Sequence, residues 1–450
     1  MARTKRQVLF IVALVLNLFG VHSLYADGVG VFYSRLLDPT EWTLHTQATT
    51  ISQGHFPLHS PYSGPNSLSP EAEARTSFTS TEFIGRRLWT GGSLYFNPEI
   101  IAGQGISQTH GIAGFPNGEI YRVDDPSLKL VMSRLYFQQI WGLSAETEHI
   151  DSGQNQLAGD VATKRFTFVA GKFSLVDFFD HNAYSSDPRN QFMNWALFTN
   201  GAWDYAADTR GYTWGFYGEY NQPEWAIRAA SVLEPKYPNQ SEMDMRIGRA
   251  HGDEVEAEWR YATGDHPGKL RLLGYMNHAD MGNYQDAINQ GLLTGTTPNV
   301  TTTRSYSLKY GFGLNLEQAL TSDLGFFSRA GWNNGTTETW AFTPIDRTAS
   351  AGLSLKGTHW GRPQDTVGLA GIINGLSPEH REYLRLGGLD FLIGDGALNY
   401  APEQIVETYY AFHFWRYWTL TTDVQGVKNP AYNADRGPVL ILGERVHLEF

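Results

Sequence analysis

The chain has 450 residues, no cysteine, 47 glycines, 14% aromatic residues and a formal charge of −12 at neutral pH. Without cysteine it has neither a disulfide framework nor a thiolate metal site, and its negative charge argues against a nucleic-acid partner, since neutralising phosphates takes a basic surface. A polar average, with a mean hydropathy of −0.34, together with many aromatics suits strands that carry one apolar and one polar face.

At the N-terminus Arg3, Lys5 and Arg6 precede an apolar run from Val8 to Gly20 and small-residue cleavage options between Ser23 and Ala26. This is the pattern of a secretory signal peptide, too short to span a bilayer. Residues 1–26 are therefore set apart as the exported protein's leader, and removing their three basic residues takes the formal charge from −12 to −15. Residues 27–41 read as a periplasmic N-terminal segment and 42–450 as one barrel domain. No linker, charge run or low-complexity segment divides the rest.

The remaining chain alternates with period two. Val255, Ala257, Trp259 and Tyr261 oppose Glu256, Glu258 and Arg260, while Tyr306, Leu308, Tyr310, Phe312 and Leu314 oppose Ser307, Lys309, Gly311, Gly313 and Asn315. Such alternation separates a greasy face from a wet one. Strands are predicted near 42–51, 76–88, 92–102, 129–142, 164–174, 211–221, 223–233, 253–263, 267–278, 305–316, 324–332, 348–358, 365–375, 404–415, 417–427 and 438–450, sixteen in all.

Connections after even-numbered strands are mostly tight, as in Trp89-Thr90-Gly91, Gly264-Asp265-His266 and Gly361-Arg362-Pro363, whereas those after odd-numbered strands are long. The exception is 143–163, about twenty residues where a turn is expected. Short turns on one side and long loops on the other predict an all-β, membrane-spanning antiparallel β-barrel, with periplasmic turns and extracellular loops. Trp42, Trp141, Trp225, Trp415 and Trp418 lie near strand ends, where interfacial aromatic girdles form.

The last strand ends on an aromatic carboxylate. Leu440, Leu442, Val446, Leu448 and Phe450 share one face, and Gly443, Arg445, His447 and Glu449 the other. Glu444 interrupts the apolar face, and is read as an interface with a neighbouring subunit or a bulge that flips parity.

The loop 175–210 is the longest and is rich in Phe178, Phe179, Phe192 and Trp195, rings that a solvated loop has little use for. Folded into the barrel mouth it would narrow the pore and line it with Asp177, Asp180, Asn182, Tyr184 and Asp187. Strand positions of polar parity offer Arg134, Arg228, Arg260, Arg271 and Lys309, with Glu256 and Glu258 as acidic partners. Charges across a constriction order water and favour polar solutes, and the same groups bind sugar hydroxyls while aromatic faces take C–H faces. The plainer reading is that the carboxylates cap turns and the arginines solvate a wide pore.

No catalytic, metal or cofactor site emerges. His55 and His59 sit four apart in a proline-containing loop rather than on a helix face. Asp180-His181-Asn182-Ala183-Tyr184 lacks the glycine and the twelfth-position glutamate of a calcium loop, and no Gly-x-Ser-x-Gly elbow is present.

Several motifs follow one another along the chain: Ser60-Pro61-Tyr62-Ser63-Gly64-Pro65-Asn66-Ser67-Leu68, Leu94-Tyr95-Phe96-Asn97-Pro98-Glu99, Gly114-Phe115-Pro116-Asn117-Gly118-Glu119, and Gly171-Lys172-Phe173. The series continues through the Asp177-to-Tyr184 stretch, Phe192-Met193-Asn194-Trp195, Gly394-Asp395-Gly396, Glu407-Thr408-Tyr409-Tyr410, and Gln425 with Asn429-Pro430. Through these motifs the sequence from Trp42 to Phe450 bears a resemblance to the carbohydrate-selective porins of the OprB type. The resemblance implies a sixteen-stranded barrel in the Gram-negative outer membrane that passes sugars and other small polar solutes. Expected partners are those solutes, outer-membrane lipid and lipopolysaccharide, and a second copy of the chain in a homo-oligomer. The alternatives are a barrel-borne hydrolase or polysaccharide-modifying enzyme, and a surface adhesion barrel.

Overall fold

The computed structural model describes residues 38–120, 126–342 and 344–450. The expected signal peptide and most of the expected 27–41 segment lie outside the described residues.

Sixteen strands form one closed antiparallel barrel. In chain order they are β1 (Trp42–His55), β2 (Glu73–Trp89), β3 (Gly92–Gly103), β4 (Lys129–Gly142), β7 (Arg165–Phe173), β8 (Thr213–Asn221), β9 (Trp225–Leu233), β10 (His251–Thr263), β11 (His266–Met281), β12 (Ser305–Ala319), β13 (Leu324–Asn333), β14 (Arg347–Gly357), β15 (Arg362–Gly375), β16 (Glu403–Trp415), β17 (Trp418–Lys428) and β18 (Val439–Glu449). The predicted sixteen are these sixteen. Two short strands, β5 (Thr147–Ile150) and β6 (Gly159–Ala162), pair only with each other and occupy the anomalous 143–163 connection. Each barrel strand pairs with its sequence neighbour, β4 pairs with β7 across that hairpin, and β18 pairs with β1 to close the sheet.

Closure removes both free edges. The faces of the sheet are inverted relative to a soluble protein. Trp259, Leu272 and Phe312 are more than half exposed, while Glu256, Arg271, Lys309 and Arg445 are buried. A large apolar side chain left in water forgoes roughly 1.5–3 kcal/mol, so a belt of them around the barrel requires lipid. Trp42, Trp141, Trp225, Trp415 and Trp418 all fall at strand ends on the turn side, so they belong to one rim. Backbone N–H and C=O groups within the belt are satisfied between strands, as a hydrocarbon solvent demands.

Several strands outrun their predicted limits on the loop side: β2 begins at Glu73 and β11 ends at Met281. There both faces touch protein or water, so the apolar alternation that marks the membrane span fades. Turns on the opposite side are tight. Gly91 adopts φ +76, and a Cβ there would stand 2.1 Å from the Ile140 carbonyl oxygen, so only glycine fits.

The β18 register against β17 and β1 is unbroken, with Glu444 opposite Thr422 and Ser52. No bulge flips its parity, because every pair on both sides is in step. Glu444 remains on the exposed face.

Among the described residues the long loops contain three α-helices: α1 (Trp195–Phe198), α2 (Tyr284–Thr294) and α3 (Pro378–Arg385). Asn283 caps α2 by accepting the Asp286 N–H, and Ser377 caps α3 with Pro378 in its first turn. Between α2 and α3, His380 Nδ1 lies 3.0 Å from Asp346 and its Nε2 2.5 Å from Asp390, and the Tyr284 hydroxyl donates to Asp390 at 3.0 Å. Burial works against the imidazolium, but the Asp390 and Asp346 carboxylates outweigh it and push its pKa up to about 9.

The Ser60–Leu68 stretch is tied to the other outer loops. Ser67 and Arg436 both reach Asp395, and Tyr62 donates to Asp435. Gly64 lies so close to Gly394–Gly396 that a Cβ would come within 2.6 Å of backbone.

Candidate functional site: the 174–212 segment and its chamber

Between β7 and β8 the chain makes an irregular excursion over residues 174–212. Ser174 opens it with a capping box: its side chain takes the Asp177 N–H, and the Asp177 carboxylate takes the Ser174 N–H at 3.0 Å. The Asn194 side chain accepts the Ala196 N–H and starts α1.

Side chains from twelve barrel strands bond to this one segment, Lys172 of β7 and Tyr275 of β11 among them. From the first half of the sheet, Arg189 donates to Gln47 of β1 at 2.8 Å, Thr81 of β2 at 3.1 Å and Glu99 of β3 at 3.2 Å, and Asp177 pairs with Arg134 of β4. Glu256 of β10 accepts the Asp180 N–H at 2.7 Å, Asn315 of β12 donates to Asp180, and Arg329 of β13 lies 2.9 Å from the same carboxylate. Glu407 of β16 accepts the N–H groups of Met193 and Asn194, Gln425 of β17 accepts from Asn194, and Arg445 of β18 donates to the carbonyls of Pro188 and Gln191 at 2.8 Å.

Glycines on the polar parity give the segment room. A Cβ on Gly331 would fall 2.0 Å from Asn200 Oδ1, one on Gly313 2.3 Å from Asn200 Nδ2, and one on Gly325 2.1 Å from the Tyr184 ring. Those positions are therefore small for a reason that strand alternation does not reveal.

The expected residues divide into groups. Arg134 and Asp177 meet, with Nε 2.7 Å and Nη2 2.5 Å from the two carboxylate oxygens. Arg228, Glu256, Glu258, Arg260 and Arg271 form one network on β9–β11. In it Arg228 donates to Glu256 at 2.6 Å, while Arg271 and Arg260 each donate to Glu258 at 2.7 Å. Acid and base are interleaved there rather than segregated, because cross-strand neighbours of opposite sign pair directly.

Lys309 reaches Asp204 of the segment at 3.1 Å and is fully enclosed. Asp180 and Asn182 are also buried, in a mesh with Asn315 and Arg329. Tyr184 lies against Gly325. Asp187 caps a turn, accepting from the Arg189 N–H and the Asn190 side chain.

A cavity of about 1110 Å³ is lined by Arg134, Asp177, Arg228, Glu258, Arg260 and Arg271 from that set. Its wall also includes Phe178, His181, Tyr217, Glu219, Lys269 and the 154–162 stretch of the β5–β6 hairpin. Phe178 stacks on Tyr217 with ring centroids 4.2 Å apart and planes at 20°. Glu219 and Lys269 are absent from the expected set, although the parity of their strands places them on the wet face; Arg189 and the hairpin had no periodic signal to betray them. Among the described residues no group of three or more His, Asp or Glu side chains is arranged to hold a metal ion, and His55 is engaged by Glu73 and the Phe56 carbonyl.

The family model described as carbohydrate-selective porin, OprB family, matches residues 84–450. Among solved structures, the high-pH form of OprB from Pseudomonas putida superposes with a TM-score of 0.71 at 18% identity, over 94% of this chain and 97% of that one. The outer membrane channel DcaP of Acinetobacter baumannii gives 0.52 at 10% identity, over 91% and 97%. At these identities the likeness is one of fold. No curated protein sequence matches the chain.

Proposed function

The chain belongs to the OprB family of carbohydrate-selective porins, outer-membrane channels for carbohydrates, and on that premise we propose that the 174–212 segment lies across the lumen as its constriction. What carries this reading is the spread of its anchors: a single segment reaches side chains of β1, β2, β3, β4, β10, β12, β13, β16, β17 and β18. Only from the interior of a closed barrel does one segment serve so many strands.

Sugar then passes through the roughly 1110 Å³ chamber, a size within the usual range of small-molecule sites. Arg134, Asp177, Arg228, Glu258, Arg260 and Arg271 present paired charges that exchange water for sugar hydroxyls, and the half-buried Phe178 offers a ring to a C–H face. Asp177 and Glu258 balance part of the arginine charge and leave the chamber mildly cationic. The solute moves down its own gradient with no cofactor. Family and fold point to a channel rather than an enzyme.

Lipid and lipopolysaccharide surround the apolar belt. On β17, β18, β1 and β2, however, the outward face carries Thr422, Glu444, Ser52, Thr76 and Glu82, a stripe suited to contact with a second copy of the chain. Purified protein in planar bilayers should give discrete conductance steps that added sugar reduces, and liposomes containing it should swell in sugar. Full insertion with neither effect refutes the reading.

A further inference from the structure

The connection between β4 and β7 is a hairpin where its counterparts are tight turns, and its tip turns back against the barrel. The Thr43 hydroxyl of β1 donates to the Gly153 carbonyl at 2.9 Å and shares a hydrogen bond with the Ser152 hydroxyl at 3.1 Å. Asn155 and Asn97 of β3 exchange amide hydrogen bonds at 2.9 and 3.0 Å, and Gln154 donates to Glu449 of β18 at 2.8 Å. Arg87 and the backbone of Pro39 hold Ala158, and Leu157 is buried. A solvated surface hairpin has no need of so many bonds to side chains of distant strands.

We propose that this hairpin is a second, periplasmic filter that sets the largest sugar able to leave the chamber. The proposal rests on the porin reading above. The hairpin leaves the wall at β4 and β7, and its tip is fastened at β3, β1 and β18, so it spans one side of the periplasmic mouth. Glu449 accepts Gln154 from the hairpin and, at 3.4 Å, Asn190 from the 174–212 segment. The two obstacles meet at β18, which closes that side of the lumen and directs solute to the β4–β11 side.

The chamber occupies that side, with Asp177 and Phe178 of the segment and Gln154 and Gln156 of the hairpin in its wall. Solute thus meets the hairpin last. Residues 152–157 present neutral amides and a hydroxyl rather than charge, so they discriminate by size and hydrogen bonding rather than by sign.

The test uses the full-length protein in liposomes and planar bilayers. Replacing residues 152–158 by an Asn-Gly turn should raise unit conductance by about twofold and admit a trisaccharide several-fold faster, with ion selectivity little changed. Because the chain has no cysteine, Gln156→Cys gives a single thiol, and a sulfonatoethyl thiol reagent should lower conductance measurably in this fully folded variant. If the shortened protein fails to insert, the thiol result decides.

A shortened protein with unchanged conductance and sugar cut-off overturns the filter, as does modified Gln156→Cys with unchanged current. Unaltered protein that passes no sugar at all overturns the porin reading itself, and the filter with it.

Discussion

Arg134 of β4 and Asp177 of the 174–212 segment form a two-pronged ion pair, with N–O distances of 2.7 and 2.5 Å, on the wall of the chamber. The pair is partly accessible, so the guanidinium remains a charge that permeating ions sense. Asp177→Asn should leave it uncompensated and shift selectivity toward anions by roughly twofold or more. Reversal potentials across a salt gradient measure this, and an unchanged value would show that the pair stands outside the ion path.

Asp180 behaves differently although it lies three residues away. Its carboxylate and the Arg329 guanidinium are both buried, 2.9 Å apart, and removing one member of such a pair leaves a buried charge at a cost of about 3–5 kcal/mol. Asp180→Asn should therefore lower the urea midpoint of unfolding from detergent. A double variant that also carries Arg329→Met should recover part of the loss, which a double-mutant cycle quantifies.

The inward glycines give a third expectation. Gly331→Val places carbon where Asn200 now lies, its Cβ alone falling 2.0 Å from Oδ1. The segment should be displaced and conductance should rise without loss of the barrel. Single-channel records paired with far-ultraviolet circular dichroism separate the two effects.

His380 makes the outer loops sensitive to alkali. Its pKa of about 9 exceeds the ordinary 6.5, so its contribution is full below pH 6.5 and lost as pH rises through about 9. The linkage amounts to on the order of 3 kcal/mol. Protection of the α2 and α3 amides, taken relative to the base-catalysed intrinsic exchange rate at each pH, should fall between pH 7 and 10, and His380→Gln should show low protection throughout that range. Protection independent of pH in the native protein would contradict the assignment.

The sequence by itself determined the barrel. Tyr310 and Phe312 against Lys309 and Gly313, or Leu442 against Arg445, carry the face of each residue in local parity, because a strand's side-chain period is two whatever lies beside it. Sixteen such segments between alternating short and long connections leave closure as the way to satisfy their edges. The OprB resemblance rested instead on motifs in order, such as Ser60–Leu68 and Phe192–Trp195, and the family match bears it out.

Partners were another matter. That Asp177 finds Arg134, Asp180 finds Arg329 and Lys309 finds Asp204 depends on contacts between residues 43, 149 and 105 positions apart, which no periodicity encodes. Glu444 shows the same limit, since only the register against β17 and β1 excluded a bulge. The 143–163 stretch stood out by length alone. Its course back to Asn97 and Glu449 was decided by hydrogen bonds that exist only once the barrel has closed and brought β18 beside β1.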